Sequence, residues 1–266
     1  MIMKKWFIGF LLNIQFFTAI PVRKELPMEG EFLQKSIKTF PLLGLFQGFI
    51  YMSFFFLLKE YTPFTALAVA FFVWASTILL TGGLHLDGWM DASDAYFSYQ
   101  DRKKRLEIMK DPHVGAFGLL SVILLLSAKF LFIYEIVTRM QDFTYLFVML
   151  LPLFSKAVMG WILLFVQEAK NDGLGAYFKR SVEGQRAFFY SRYFALVLLF
   201  IILLNTQWLP LFFLFLFISI CSYILLSRFM KRAFGGLTGD LLGASVEGTE
   251  LALWATLWLL HYFVMG

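Results

Sequence analysis

Long apolar runs separated by short charged segments leave this chain few folds to choose from. A helix needs about 20 mostly apolar residues to cross a bilayer. Runs of that kind lie at roughly 40–58, 64–81, 116–138, 144–166, 208–226 and 249–265, with a shorter one at 193–204. The composition agrees: 60% of the 266 residues are apolar, 34 are Phe, only 15% are charged and mean hydropathy is +0.73. Such a balance is far from that of soluble domains. The expected fold is all-α: one integral membrane domain over 1–266, a polytopic transmembrane helix bundle of about seven spans. The count runs from six to eight with the treatment of the N-terminal run and of 193–204, which shares the turn Asn205-Thr206-Gln207 with the next span and reads as tilted or partly interfacial.

The N-terminal run Trp6 to Ile20 follows Lys4 and Lys5 but lacks a small-x-small cleavage site before Pro21, so it reads as retained. Asn13 and Gln15 in its middle suit a helix lying in the interface better than a span. Lys and Arg concentrate in 21–39, 82–115, 167–192 and 227–248, whereas the opposite connections hold only Lys59 and Arg139. The positive-inside rule then assigns the four basic segments to the cytoplasmic side of the membrane. Membrane lipid is therefore the first partner, and no stacking platform or motif for nucleic acid is present. The single cysteine, Cys221, lies within a span, which rules out a disulfide inside the chain and a cysteine metal site.

Between two apolar runs, Thr81 to Gly118 carries six carboxylates and five Lys or Arg. Asp87, Asp91 and Asp94 stand at i, i+4 and i+7, on one face of a helix. Three like charges there repel, and a bridging divalent cation would turn the repulsion to advantage. His85, two residues earlier, is a metal ligand or acid/base group on one reading and a simply hydrogen-bonded histidine on the commoner one. The run Arg102-Lys103-Lys104-Arg105 fits membrane-surface anchoring, phosphate binding or both. Pro112 keeps Asp111 out of a helix interior, so a turn positions that carboxylate.

Further ionisable residues fall inside or beside spans. Lys129 and Lys156 call for an ion pair, or for a substrate phosphate near Lys156. Gly44 and Gly48 suit close helix packing. Asn171, Gly173 and Gly175 form a weak candidate ligand loop. Gly235 to Glu247 surrounds Asp240 with four glycines and leads to Glu247 and Glu250 at the mouth of the last span.

Carboxylates without Cys suit a hard cation, Mg2+ or Mn2+, rather than zinc. Hard cations beside Arg and Lys point to phosphoryl or pyrophosphate chemistry, in which a carboxylate can deprotonate an attacking hydroxyl. A cation-coupled transporter is the competing class, but its acids belong near the bilayer midplane. Here most lie at the membrane boundary. A CDP-alcohol phosphotransferase-like enzyme also clusters aspartates on membrane helices, but its D-x2-D-G-x2-A-R signature is missing.

The blocks GGLHLDGWMDASDA, RLEIMKDPHVGAFG, NDGLGAYF and GGLTGDLLGASVEGTE, in that order, resemble the adenosylcobinamide-GDP ribazoletransferase (cobalamin synthase) family. The likeness runs from Phe16 through Glu250 and departs at Ala95, where Gly is expected, and at Gly248, where a bulkier apolar residue is expected. Neither departure removes a candidate ligand. The resemblance implies a Mg2+-dependent membrane transferase that joins α-ribazole, or its 5'-phosphate, to adenosylcobinamide-GDP and releases GMP. On that expectation Asp87, Asp91, Asp94 and Asp111 hold metal, and Asp94 or Asp91 acts as base. Arg102, Arg105 and Lys110 take phosphate, while Asn171 to Gly175, Asp240 and Glu247 close the site; His85, Lys156 and Glu250 are further candidates, and a homo-oligomer is compatible with the sequence.

Overall fold

The computed structural model describes residues 2–169, 178–181 and 188–263. Among them the regular structure is helical apart from one isolated parallel bridge, Glu168 with Leu237. The helices are α1 (Ile2–Phe17), α2 (Gly30–Lys38), α3 (Phe40–Tyr61), α4 (Ala66–Thr81), α5 (Leu84–Phe97), α6 (Arg102–Ile108), α7 (Ala116–Thr138), α8 (Thr144–Phe165), α9 (Phe188–Leu204), α10 (Leu209–Ala233) and α11 (Gly239–Phe263). Each of the seven apolar runs coincides with one of α3, α4, α7, α8, α9, α10 and α11. Four stretches, those holding α3, α7, α8 and α10, are long and apolar enough to cross a membrane alone. The bent pair α4 and α5 supplies a fifth if it counts as one span. The difference from seven has a physical cause: α9 has only 17 residues, and α11 has 25 but carries Asp240, Glu247 and Glu250.

The bundle is built around α8, whose side chains are buried along nearly its whole length. Lipid tails are as apolar as leucine, so close van der Waals packing rather than water exclusion must hold such helices together. Gly44 and Gly48 provide it on α3: a Cβ at either would run into the α8 backbone at Pro152 and Met149. The pairing of α3 with α8 is the most extensive in the molecule. Outward-facing residues such as Leu79, Leu124, Leu203 and Phe217 are exposed, as an apolar surrounding requires.

Two ends of the bundle can be told apart. At one, Glu60, Glu135, Arg139, Tyr145 and Tyr262 join in hydrogen bonds and an ion pair. At the other, the segments read as lying on one side meet. Arg102 and Arg105 reach the end of α10, and Leu237 N–H donates to the Gln167 carbonyl at 2.8 Å. The N-terminal helix belongs to the same end. Asn13, fully buried, donates to Ser36 O at 2.8 Å and to Thr39 Oγ1 at 2.9 Å, and accepts from Ser36 Oγ. That pairing explains why a polar residue sits in the middle of an apolar helix.

Candidate active site

The site is set by a break. α4 ends at Gly82 and α5 starts after Gly83, both with positive φ (64° and 77°), and the two helices meet at 85°. Consecutive residues in that left-handed region would strain any side chain, which is why two glycines stand there. The bend swings α5 off the axis of the span and across the end of the bundle. Helical spacing then carries Asp87, Asp91 and Asp94 along α5 as the sequence predicts.

The three acids have different surroundings. Asp94 accepts from Gly115 N–H at 2.8 Å and Gly118 N–H at 2.7 Å, so its carboxylate caps the first turn of α7 from a neighbouring helix. A negative group at a helix N-terminus satisfies orphan donors and complements the dipole. A Cβ at either glycine would collide with that carboxylate, which would have to shift from its place on α7. Asp87 is exposed. Asp91 is half-buried, and its carboxyl is pushed up to about 7 by burial first and then by Asp87, Asp240 and Asp94. Asp240 comes from the first turn of α11, which packs so closely on α5 that a Cβ on Gly88 would lie 3.0 Å from Asp240 Cα.

Beside these acids is a cavity of about 260 Å³. Asp87, Asp240 and His85 form part of its wall, and Phe16, Phe17, Phe40 and Phe178 form much of the rest. The aromatic half was not read from the sequence, although Phe16 and Phe17 open the stretch that carries the family resemblance. Four phenylalanines from distant segments give no local signal, least of all in a chain with 34 of them.

A second cluster of charge lies inside the bundle. Lys129 on α7 contacts Glu247 at 2.5 Å and Glu250 at 3.2 Å. Glu250 also accepts from Ser155 at 3.1 Å and lies 3.9 Å from Lys156, whose Nζ is 3.2 Å from His85 Nε2. Two lysines and two glutamates, all more than nine-tenths buried, balance each other. Lys129 is therefore paired with buried acids. Glu247 and Glu250 sit within the packed helices rather than at a mouth, and Lys156 faces His85 and Glu250.

The remaining candidates divide. Arg102 Nε and Arg105 Nη1 each donate, at 3.1 Å, to the final carbonyls of α10, Arg232 O and Ala233 O. Arg105 also lies over the Tyr96 ring at 5.1 Å. Lys110 is exposed. Asp111 accepts from both the backbone and the ring of His113, which hold its carboxyl below the usual range. Asn171, Gly173 and Gly175 lie outside the described residues.

Among the described residues no three His, Cys, Asp or Glu side chains converge into a group able to hold a metal by themselves. Mg2+ is nevertheless commonly bound through one or two carboxylates together with waters and substrate phosphates. Asp87 and Asp91, one turn apart and facing Asp240, fit a cation shared with a phosphorylated substrate; they do not fit an all-protein cage.

Fold and site define a class: a polytopic helical membrane protein with an acid-lined aromatic cavity at one end of its bundle. The family follows from comparison with known proteins. The model described as cobalamin-5-phosphate synthase matches residues 9–258, and the chain belongs to that family. It is 37% identical to a protein of Geobacillus sp. (strain WCH70) named adenosylcobinamide-GDP ribazoletransferase, over 99% of this chain and 100% of that one. Proteins of the same name from Halalkalibacterium halodurans (33%, over 96% of this chain and 97% of that one) and Clostridium tetani (31%, over 93% and 94%) are also similar. No solved structure matches. The family is one of enzymes, which sets the transporter reading aside.

Proposed function

We propose that this protein joins α-ribazole, or its 5'-phosphate, to adenosylcobinamide-GDP with release of GMP, at the cytoplasmic face of a prokaryotic cell membrane. The observation that carries the reading is Asp91. This half-buried carboxylate is ringed by Asp87, Asp94 and Asp240 beside a cavity sized for one ring system.

The reaction requires a free ribose hydroxyl of the ribazole, one other than the 5'-oxygen that carries phosphate in α-ribazole 5'-phosphate, to reach the phosphorus that bears the cobinamide. A new P–O bond forms there, the bond to the neighbouring phosphate breaks, and GMP leaves with that bond's electrons. Bound Mg2+, or Mn2+ in its stead, would supply charge neutralisation on the pyrophosphate, held by Asp87 and Asp91 with Asp240 opposite. A carboxylate must take that hydroxyl's proton. Both oxygens of Asp94 are already engaged by backbone N–H groups as the cap of α7. The role therefore passes to Asp91. Arg102 and Arg105 each use one N–H on α10 and keep others of their five for phosphate. Lys110 extends the same basic edge.

The experiment is product formation by purified protein in detergent, given adenosylcobinamide-GDP and α-ribazole 5'-phosphate with Mg2+ or with EDTA. Chromatography should show GMP and a new corrinoid in equal amounts, only with the metal. Folded protein that binds substrate and yields neither product would refute the proposal.

A further inference from the structure

His85 lines the cavity from the α5 side and is 1% exposed. Its Nε2 faces Lys156 Nζ at 3.2 Å. An ammonium has only protons to give, so Nε2 accepts and the proton of a neutral imidazole resides on Nδ1. Nδ1 has no partner. A buried N–H left without an acceptor costs on the order of 1–3 kcal/mol, so its presence asks what completes it. Gly243 of α11, another residue of the cavity wall, stands against His85; a Cβ there would lie 3.6 Å from Nδ1, a position that glycine leaves unfilled.

The rest of the wall fits a flat ring. Phe17 stacks near-parallel on the imidazole, with centroids 6.0 Å apart and planes at 21°. Phe40 meets Phe17 edge-on at 5.5 Å, and Phe178 lies 6.2 Å from it. At about 260 Å³ the space falls just below the ~300–1,000 Å³ of sites that enclose a drug-sized ligand. It accommodates one fused ring system and excludes a macrocycle. Asp87 and Asp240 are the polar part of the same wall, suited to sugar hydroxyls.

We propose that this cavity holds the heteroaromatic base of the nucleoside acceptor, with His85 Nδ1–H donating to the base's unsubstituted ring nitrogen and Phe17 packing against the ring. The inference rests on the transferase reading for the identity of the nucleoside, a benzimidazole riboside. In such a compound one ring nitrogen carries the sugar and the other keeps its lone pair. The base then enters first and the sugar remains beside Asp87 and Asp240, which presents a free ribose hydroxyl to the side where Asp91 stands.

Equilibrium dialysis of the detergent-purified full chain against α-ribazole, without corrinoid or metal, tests this separately from turnover. The comparison ligand is the indole riboside, in which a C–H replaces the acceptor nitrogen. α-Ribazole should bind about tenfold or more tightly than the indole analogue. His85→Phe should make the two bind alike, and Gly243→Leu should weaken both. Equal affinities in the unaltered protein, or no α-ribazole binding at all, would overturn the inference without any variant having to fold. Selective binding without transfer would leave the inference standing and refute the transferase reading; transfer without discrimination between the ribosides would do the reverse.

Discussion

The same helix, α11, carries acids of two kinds. Glu247 and Glu250 lie in the bundle against Lys129 and Lys156, two negative charges answered by two positive ones. Asp240, two turns earlier, lies instead near Asp91 on α5, whose carboxyl is also acted on by the negative charges of Asp87 and Asp94. The difference teaches how to read acids in a membrane protein. Those that the fold neutralises are holding helices together, and those left facing each other at an edge are set for a cation or substrate from outside.

The largest effect should come from the outer cluster. Asp91→Asn keeps size and removes one of the mutually repelling charges, so melting in detergent should hold or rise. Turnover with α-ribazole should fall ~10²–10⁴-fold, the span for loss of a positioned base. The inner cluster should respond in the opposite sense. Lys129→Met leaves Glu247 and Glu250 with less compensation, and breaking a buried pair costs about 3–5 kcal/mol. Thermal unfolding should show that loss, with residual folded protein still binding Mg2+. Adding Glu247→Gln to it should recover part of the stability. Unaltered melting in Lys129→Met would erase the distinction between the clusters.

Asp94 tests where the boundary between the two kinds lies. As a cap of α7 its substitution by Ala should cost ~0.5–2 kcal/mol, and Asn should recover part of the cost while turnover drops less than for Asp91→Asn. A turnover loss equal to that of Asp91→Asn would make Asp94 a ligand as well as a cap. The smallest effect is on pH. The carboxyl of Asp91 titrates near 7 rather than 3.8, so between those values the folded state binds more protons than the unfolded one. Stability of metal-free protein should decline gently as pH rises through that window, and Asp91→Asn should flatten the slope in a series of melting curves.

Much of this was legible in the sequence, for local reasons. The spacing of Asp87, Asp91 and Asp94 fixes their common face once the segment is helical, and Gly82-Gly83 marks the turn before it. The apolar runs coincide with helices because span length is a property of composition. What escaped depends on distant partners. Asp94 is read as a base or ligand until Gly115 and Gly118, 21 and 24 residues on, are brought to it. Arg102 and Arg105 look like free phosphate binders, yet each is seated on a carbonyl about 130 residues away. Glu247 and Glu250 look like acids at a mouth because nothing local reveals that Lys129 comes to meet them. The aromatic cavity is assembled from α1, α3, α5, α8 and α11 and has no motif of its own.

The contrast between the clusters is tested most directly by the shift in melting temperature that Mg2+ produces in detergent, since a cation bound only by the folded state must raise it. The account predicts a rise for the unaltered protein, lost in the double variant Asp87→Asn/Asp91→Asn and kept in Glu247→Gln, whose starting stability is altered instead. A Mg2+ shift that survives the aspartate changes but disappears with Glu247→Gln would contradict it, and would move the metal from the edge of the bundle to its interior.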